Sequence, residues 1–556
     1  MRVSGTCPSD PFRALSKCSK TRVCPKLSTY LIYIKYIIIQ MSNDNTSSNN
    51  KRIAKNTLLL YFRMILVMLA SLYTARIMLE ALGVEDYGLY NVVAGVITLF
   101  TFLNATMTTT TSRYLTYELG RGDVSCIRTT FSSSFKTHLL LATIIMILGE
   151  TAGVYMVNDV LSIPANRLFA CNIVFQTVIV SAGLQIVQVP YSALVISHEK
   201  MGVYAYLGIF DVVAKLAVCF AVKYIEYDKL ILLAVLQLLV TALIAVFYYA
   251  YCKAKFNKLL YISRKIDKAI FVSMLGFTAW SLMGSLANML KNQGINILIN
   301  LFFGSAINAA NAIAYRINSA VMGFTSNFTT ALNPQITKMY ASGQYDEMRK
   351  LIYSGGKYTF FMLMLLGIPI MLEIDFILKI WLGDNVPEYT SIMTVLVLAL
   401  SMVETFTYTI GCAIQATGCI RNYQLVISGL SLLNFPLSYV LFMLGCPPYS
   451  ALAVSVAISA VMLFSRLYFM KTLLGIPPMD YISKVFLRTF VVAVLCIIPS
   501  LFICYYLKEN TTRFFIMCGV TTVSNLLGIY FLGINSTERQ FVQSIFHRMF
   551  NKLVSK

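Results

Sequence analysis

Polar breaks divide the chain from Asn56 to Gly533 into apolar runs of about 20 residues, each long enough to cross roughly 30 Å of hydrocarbon as an α-helix. The pattern predicts spans at 56–79, 88–112, 137–157, 168–195, 203–222, 230–252, 272–301, 308–333, 358–380, 391–416, 422–444, 449–470, 485–507 and 513–534, about 14 helices. One run is not uniformly apolar. Between Trp280 and Asn300 it carries Lys291, with amides at Asn288, Asn292, Asn296 and Asn300. Spacing of four residues keeps those amides on one slowly drifting helical face. A polar stripe with a cation is costly against lipid, so this face is expected to meet a wet cavity or other helices.

Composition places the chain in a class. Of 556 residues, 58% are hydrophobic and 12% charged, and the mean hydropathy is +0.71. A soluble globule carries about twice that charged share, so this is an all-α integral membrane protein. The net charge of +21 raises the question of nucleic acid, and its distribution answers it. With the N-terminus placed inside, alternate loops collect most of the cations, Lys253 to Lys268 and Arg113 to Lys136 among them, while the others hold Arg167, Lys223, Lys229, Lys379, Lys508 and Arg513. This positive-inside bias predicts cytoplasmic termini and no nucleic-acid partner. The 13 cysteines show no paired spacing, which argues against disulfides or a zinc site.

Residues 1–50 differ from the rest: basic, then a short apolar run from Tyr30 to Gln40, then a Ser/Asn stretch. They read as a disordered or mis-called extension, with Met41 as the natural start. Six-span blocks follow at 51–252 and 272–470, joined by a basic linker at 253–271. Two further helices occupy 471–534, and a basic tail 535–556.

Two stretches carry a family resemblance. Ala75-Arg76-Ile77, Leu82-Gly83 and Tyr87-Gly88-Leu89-Tyr90, with the Gly120-Arg-Gly-Asp123 turn after the second span, resemble the first helix, outer turn and inner loop of bacterial polysaccharide (O-antigen type) flippases. These belong to the multidrug/oligosaccharidyl-lipid/polysaccharide exporter superfamily. The resemblance covers roughly residues 51–470. It implies two pseudo-symmetric six-helix lobes around a central cavity, in the bacterial cytoplasmic membrane. It also implies a lipid-linked oligosaccharide as cargo, with membrane lipids and other polysaccharide assembly proteins as partners. An internal duplication agrees with two lobes: Gly120 pairs with Gly343 (343 − 120 = 223) and Gly83 with Gly304 (304 − 83 = 221). On the latter offset Lys291 falls opposite Ala70.

Charges within spans are the candidate chemistry. Arg63, Arg76, Lys291 and Arg316 form the cationic set. Arg76 can equally snorkel to headgroups, whereas Lys291 and Arg316 lie too deep to do so easily. A diphosphate cargo would give such cations a purpose, because Arg presents a planar fork to phosphate oxygens and Lys a point charge. Asn288, Asn292 and Asn296 can hydrogen-bond sugar hydroxyls, or simply a neighbouring helix. Among the acids, Asp211 and Lys215 stand at i and i+4 and are expected to neutralise each other. Glu373, Asp375 and Lys379 read as a solvated outer end. Glu150 and Glu404 lack a local partner, so with Asp211 they make up the candidate ion-coupling set. No nucleotide-binding, metal or catalytic constellation is present, and no cofactor is expected. The reading is a flippase working by alternating access, with a cation-coupled multidrug exporter as the alternative and a membrane polysaccharide polymerase a remote third.

Overall fold

The computed structural model describes residues 56–83 and 86–90 in part, then 101–160, 163–225, 227–262, 267–383, 386–507, 510–535, 538–540 and 543. The extension 1–50, Arg76, the Tyr87-Gly88 pair and the end of the basic tail therefore lie outside the described residues. The described elements are all helical, and eleven of the helices are long and apolar enough to cross a membrane. The contacts divide the chain into two compact units, Met1–Thr278 and Ala279–Lys556.

Unit 1 contains α1 (Asn56–Met68), α2 (Thr101–Arg121), α3 (Val124–Leu148), α4 (Leu168–Ser197), α5 (Met201–Tyr224) and α6 (Lys229–Phe256). Helix α4 packs against α2, α3 and α6, and Phe175, Ile179 and Leu194 on it are fully buried. The expected inner loop at 113–135 is helix on both sides of a two-residue turn. Gly122, at φ 78°, makes that turn, and Asp123 caps α3 by accepting hydrogen bonds from the backbone N–H of Ser125 (2.9 Å) and Cys126 (3.3 Å). Such a cap satisfies donors that a helix start would otherwise leave orphaned. Asp228 caps α6 in the same way. At the same end of α6, Arg167 bridges Asp228 (2.8 Å) and Asp86, tying three connections together.

Helix α7 (Lys268–Ala341) begins in unit 1 and continues into unit 2, breaking its regular course at Gly304 (φ 81°, ψ −179°). The break separates the two predicted spans 272–301 and 308–333. Unit 2 continues with α8 (Tyr345–Leu372), α9 (Ile374–Leu382), α10 (Thr390–Thr417), α11 (Arg421–Leu432), α12 (Asn434–Met443) and α13 (Ser450–Leu474). Helices α14 (Pro478–Tyr481), α15 (Arg488–Tyr506) and α16 (Thr511–Gly528) complete it. Helix α10 packs on α8 and α13, and α15 with α16 packs on α8.

Backbone geometry sharpens the duplication. The left-handed glycine of the second unit's turn, Gly343 (φ 75°), corresponds to Gly122 rather than Gly120, because Gly122 is the residue with φ 78°. The offset becomes 343 − 122 = 221, equal to 304 − 83 = 221 for Gly83 (φ 77°) and Gly304. Starts of α3 and α8 (345 − 124) and of α6 and α13 (450 − 229) give 221 again.

The last two spans are fastened to α8 at both ends. The Arg513 guanidinium meets the Glu373 carboxylate at 2.9 Å, and that carboxylate's side chain is only 1% exposed. Glu373 is thus a buried ion-pair partner, not the solvated acid expected from sequence. At the other end the ammonium of Lys357, itself buried, reaches both oxygens of Glu538 at 3.0 and 3.1 Å. Ser354 and the backbone N–H of Asn535 also donate to Glu538.

Candidate functional site

Unit 1 contains a polar cavity of about 180 Å³ within its helices. Arg63 of α1, Gln185 and Gln188 of α4, Tyr204, Asp211 and Lys215 of α5, and Thr241 and Tyr248 of α6 supply its polar lining. Each helix contributes through its own periodicity: Gln185 and Gln188 are i and i+3, and Thr241 and Tyr248 are i and i+7.

Arg63 is half-buried, with its guanidinium carbon 4.5 Å from the centroid of the Tyr204 ring. Its other neighbour is the backbone of α5. A Cβ at Gly208 would lie 2.1 Å from the Arg63 Nε, so only glycine leaves room for the guanidinium there. The Nε itself is buried without a hydrogen-bond partner. A cation–π contact weakly holds such a group and leaves its N–H donors available to a ligand. Asp211 and Lys215 pair at 2.9 Å, as their i, i+4 spacing predicts. Of the lining charges, Arg63 and Lys215 are positive and Asp211 negative, which leaves one positive charge in surplus. The Lys215 ammonium thus already supplies Asp211 with a positive partner. The carboxylate is a counter-ion within the cavity.

The remaining candidates distribute as follows. Lys291 on α7 is buried, and among the described residues it has no hydrogen-bond or ion-pair partner. Arg316, beyond the Gly304 break, is exposed. No hydrogen bond or ion pair joins the two. The amide ladder is split: Asn288 is exposed, Asn292 half-buried, and Asn296 accepts a hydrogen bond from Asn311 at 2.7 Å. For Asn296 the packing role between helical segments is therefore realised. Glu150 is exposed in a π-helical turn, Gly149–Gly153, and accepts from Gln176 of α4 at 2.9 Å. It is neither buried nor partnerless. Glu404 on α10 is half-buried and within electrostatic reach of Tyr315 and Tyr408, and Tyr408 also feels Arg466. The Tyr315 hydroxyl is buried without a partner.

The sequence marks Arg63, Asp211 and Lys215 as charges within spans, but not the surrounding Gln185, Gln188, Tyr204, Gly208, Thr241 and Tyr248. The paired glutamines in an otherwise apolar span were a legible signal. The tyrosines were not, because in membrane helices they serve equally as interfacial anchors.

No family model matches the chain, and no curated protein matches it. Solved structures do, through the fold. A multidrug resistance MATE family transporter of the MOP superfamily, in its outward-facing conformation, is 13% identical with a TM-score of 0.62, over 76% of this chain and 96% of its own. A MOP superfamily transporter from Pyrococcus furiosus, whose reverse polarity of the binding pocket suggests a different function, is 13% identical with a TM-score of 0.62, over 77% and 96%. A Vibrio cholerae MATE transporter in the bent form is 13% identical with a TM-score of 0.60, over 79% and 100%. The chain thus has the fold of these transporters along nearly their whole length.

Proposed function

We propose that this chain is an alternating-access membrane transporter, and that its cargo is an anionic glycolipid: a polyprenyl-diphosphate-linked oligosaccharide moved from the inner to the outer leaflet of a bacterial cytoplasmic membrane. The observation that carries the choice of cargo is the unit 1 cavity, where Arg63 offers unused donors and the lining keeps a surplus positive charge. A guanidinium in that state suits a phosphate oxygen, and the Gln185, Gln188 and Thr241 side chains suit sugar hydroxyls. The two sides of the membrane would gain access to the cargo in turn, with the polyprenyl tail remaining in lipid.

Likeness of fold taken alone backs the other cargo more strongly. One neighbour is a multidrug resistance transporter, so cation-coupled export of drugs is the second reading. Charge weighs against it, since most such cargo would be cationic and the cavity is too. A neighbour with a pocket of reversed polarity supports treating the pocket, not the fold, as the guide to cargo.

Deleting the gene separates the readings. Accumulation of lipid-linked repeat units on the inner leaflet, with surface glycan lost and drug tolerance unchanged, is the expected outcome. Drug hypersensitivity with normal surface glycan would sink the glycolipid reading. Complementation with Arg63→Gln should fail to restore glycan although the protein reaches the membrane.

A further inference from the structure

The end of α6 has a feature that the transport cycle leaves unused. Leu239, Leu243 and Val246 are each about half exposed and lie at i, i+4 and i+7, which makes them one outward apolar stripe. Continued by one and then two turns, that stripe passes Ala250 and reaches Lys253, which is exposed. From Leu239 to Lys253 the helix advances about 21 Å at 1.5 Å per residue, so Lys253 stands where the stripe leaves hydrocarbon for the headgroup layer. Its ammonium lies 5.7 Å from the centroid of the Tyr249 ring, itself 45% exposed, an aromatic at interface depth. Lys255 and Lys258 are exposed around the same helix end, and Tyr261 and Ile262 project beyond them. The Arg128 Nε donates to the Lys258 carbonyl, which fixes the terminal turn against α3. From Lys229 to Ile262 the sequence contains no acidic residue.

The internal duplication shows that this collar is not a requirement of the fold. At the 221-residue offset Lys253, Lys255 and Lys258 correspond to Leu474, Ile476 and Met479, all apolar. The equivalent helix α13 ends there without a comparable cluster of lysines. A helix end that can be built from apolar residues here carries three lysines, none of them in an ion pair among the described residues, and such a cluster at headgroup depth suits a partner of opposite charge.

We propose that the Lys253, Lys255 and Lys258 collar binds the anionic headgroups of phospholipids in the adjacent leaflet, with Tyr249 seated among their upper acyl carbons. Unit 1 would then carry a shell of acidic lipid that unit 2 lacks at the equivalent helix end. This inference does not depend on which cargo is moved.

The test uses the full chain in nanodiscs of phosphatidylcholine containing one-third phosphatidylglycerol, with lipid retained after mild extraction counted by native mass spectrometry. Wild type should retain phosphatidylglycerol over phosphatidylcholine. The Lys253→Gln/Lys255→Gln/Lys258→Gln variant should lose at least roughly tenfold of that preference, since each headgroup-level lysine contributes separately. The triple Lys→Arg variant should keep it, and both should melt with wild type in pure phosphatidylcholine, which separates lost charge from lost folding. An unchanged preference in the Gln variant overturns the proposal. So does displacement of the lipid by millimolar glycerol phosphate, which would identify a soluble phosphate ester as the ligand. If the Gln variant melts early, Lys253→Gln alone, on the outward stripe, must still lower the preference for the proposal to stand.

Discussion

Arg63 owes its position to a side chain that is absent. The guanidinium occupies the space over Gly208 where any other residue would put a Cβ, and Tyr204, one turn earlier on α5, covers it. Gly208→Ala should therefore expel Arg63 from the cavity. Transport is expected to fall as far as in Arg63→Gln, measured as restored surface glycan, while the helix itself gains slightly in propensity. Equal activity in Gly208→Ala and wild type would show that Arg63 acts elsewhere or not at all. The sequence made some of this legible and hid the rest for a physical reason. Asp211 and Lys215 could be paired on paper because an i, i+4 contact is local to one helix. The approach of Arg63 to Gly208 joins residues 145 positions apart, which no periodicity encodes. Glu373 misled for the same reason: its partner Arg513 is 140 residues away, so the acid looked solvated when it is buried.

Among the elements, α7 and α8 depend most on single residues. Gly304 adopts φ 81° and ψ −179°, a region open essentially to glycine alone. Gly304→Ala should cost on the order of 1–3 kcal/mol and lower the melting temperature without touching the cavity lining. Helix α8 depends on its two fasteners. Burial pushes the Glu538 carboxyl upward, but the Asn535 N–H, the Lys357 charge and the Ser354 hydroxyl together hold it below the usual carboxylate range. A carboxylate depressed in the folded state contributes stability that is fully present above its unfolded value of about 4.3 and is lost as pH falls through the folded value. The melting temperature should thus lose this contribution only below about pH 4, and Glu538→Gln should lack that acid limb. At neutral pH the same change leaves the buried Lys357 ammonium against a neutral amide, a cost of about 3 kcal/mol. A melting curve for Glu538→Gln that overlays wild type at pH 7 would refute the fastener. Eleven of the predicted spans coincide with described helices long and apolar enough to cross a membrane, because hydrophobic length fixes them. Helix ends did not, as α2 and α3 run on through the expected loop to a two-residue turn.

For the whole molecule, the two fasteners make the final helix pair part of unit 2 rather than an appendage. A chain ending after Leu474 would strand Glu373 and Lys357 as buried single charges. It should fail to yield monodisperse protein, and Glu373→Gln with Lys357→Met in the same truncation should recover part of the yield. Duplication was readable from sequence as an approximate repeat and became an offset of 221 once backbone conformation chose Gly122 over Gly120. Cargo was not readable in the same way, because a cavity is assembled from four helices and its sign depends on which charges meet there.

The Asp211–Lys215 pair has an electrical consequence. The Asp211 carboxylate is neutralised by an ammonium on its own helix, so among the charges lining the cavity Arg63 is the one left in surplus. In the proposed cycle the current drawn per turnover would be the cargo's valence together with whatever part of the lining charge moves through the field. One elementary charge moved through the full field is worth about 2.3 kcal/mol per 100 mV. Lys215→Gln should shift the voltage dependence of transport by one charge in proteoliposomes held at defined potentials. An unshifted response would place the pair outside the membrane field throughout the cycle.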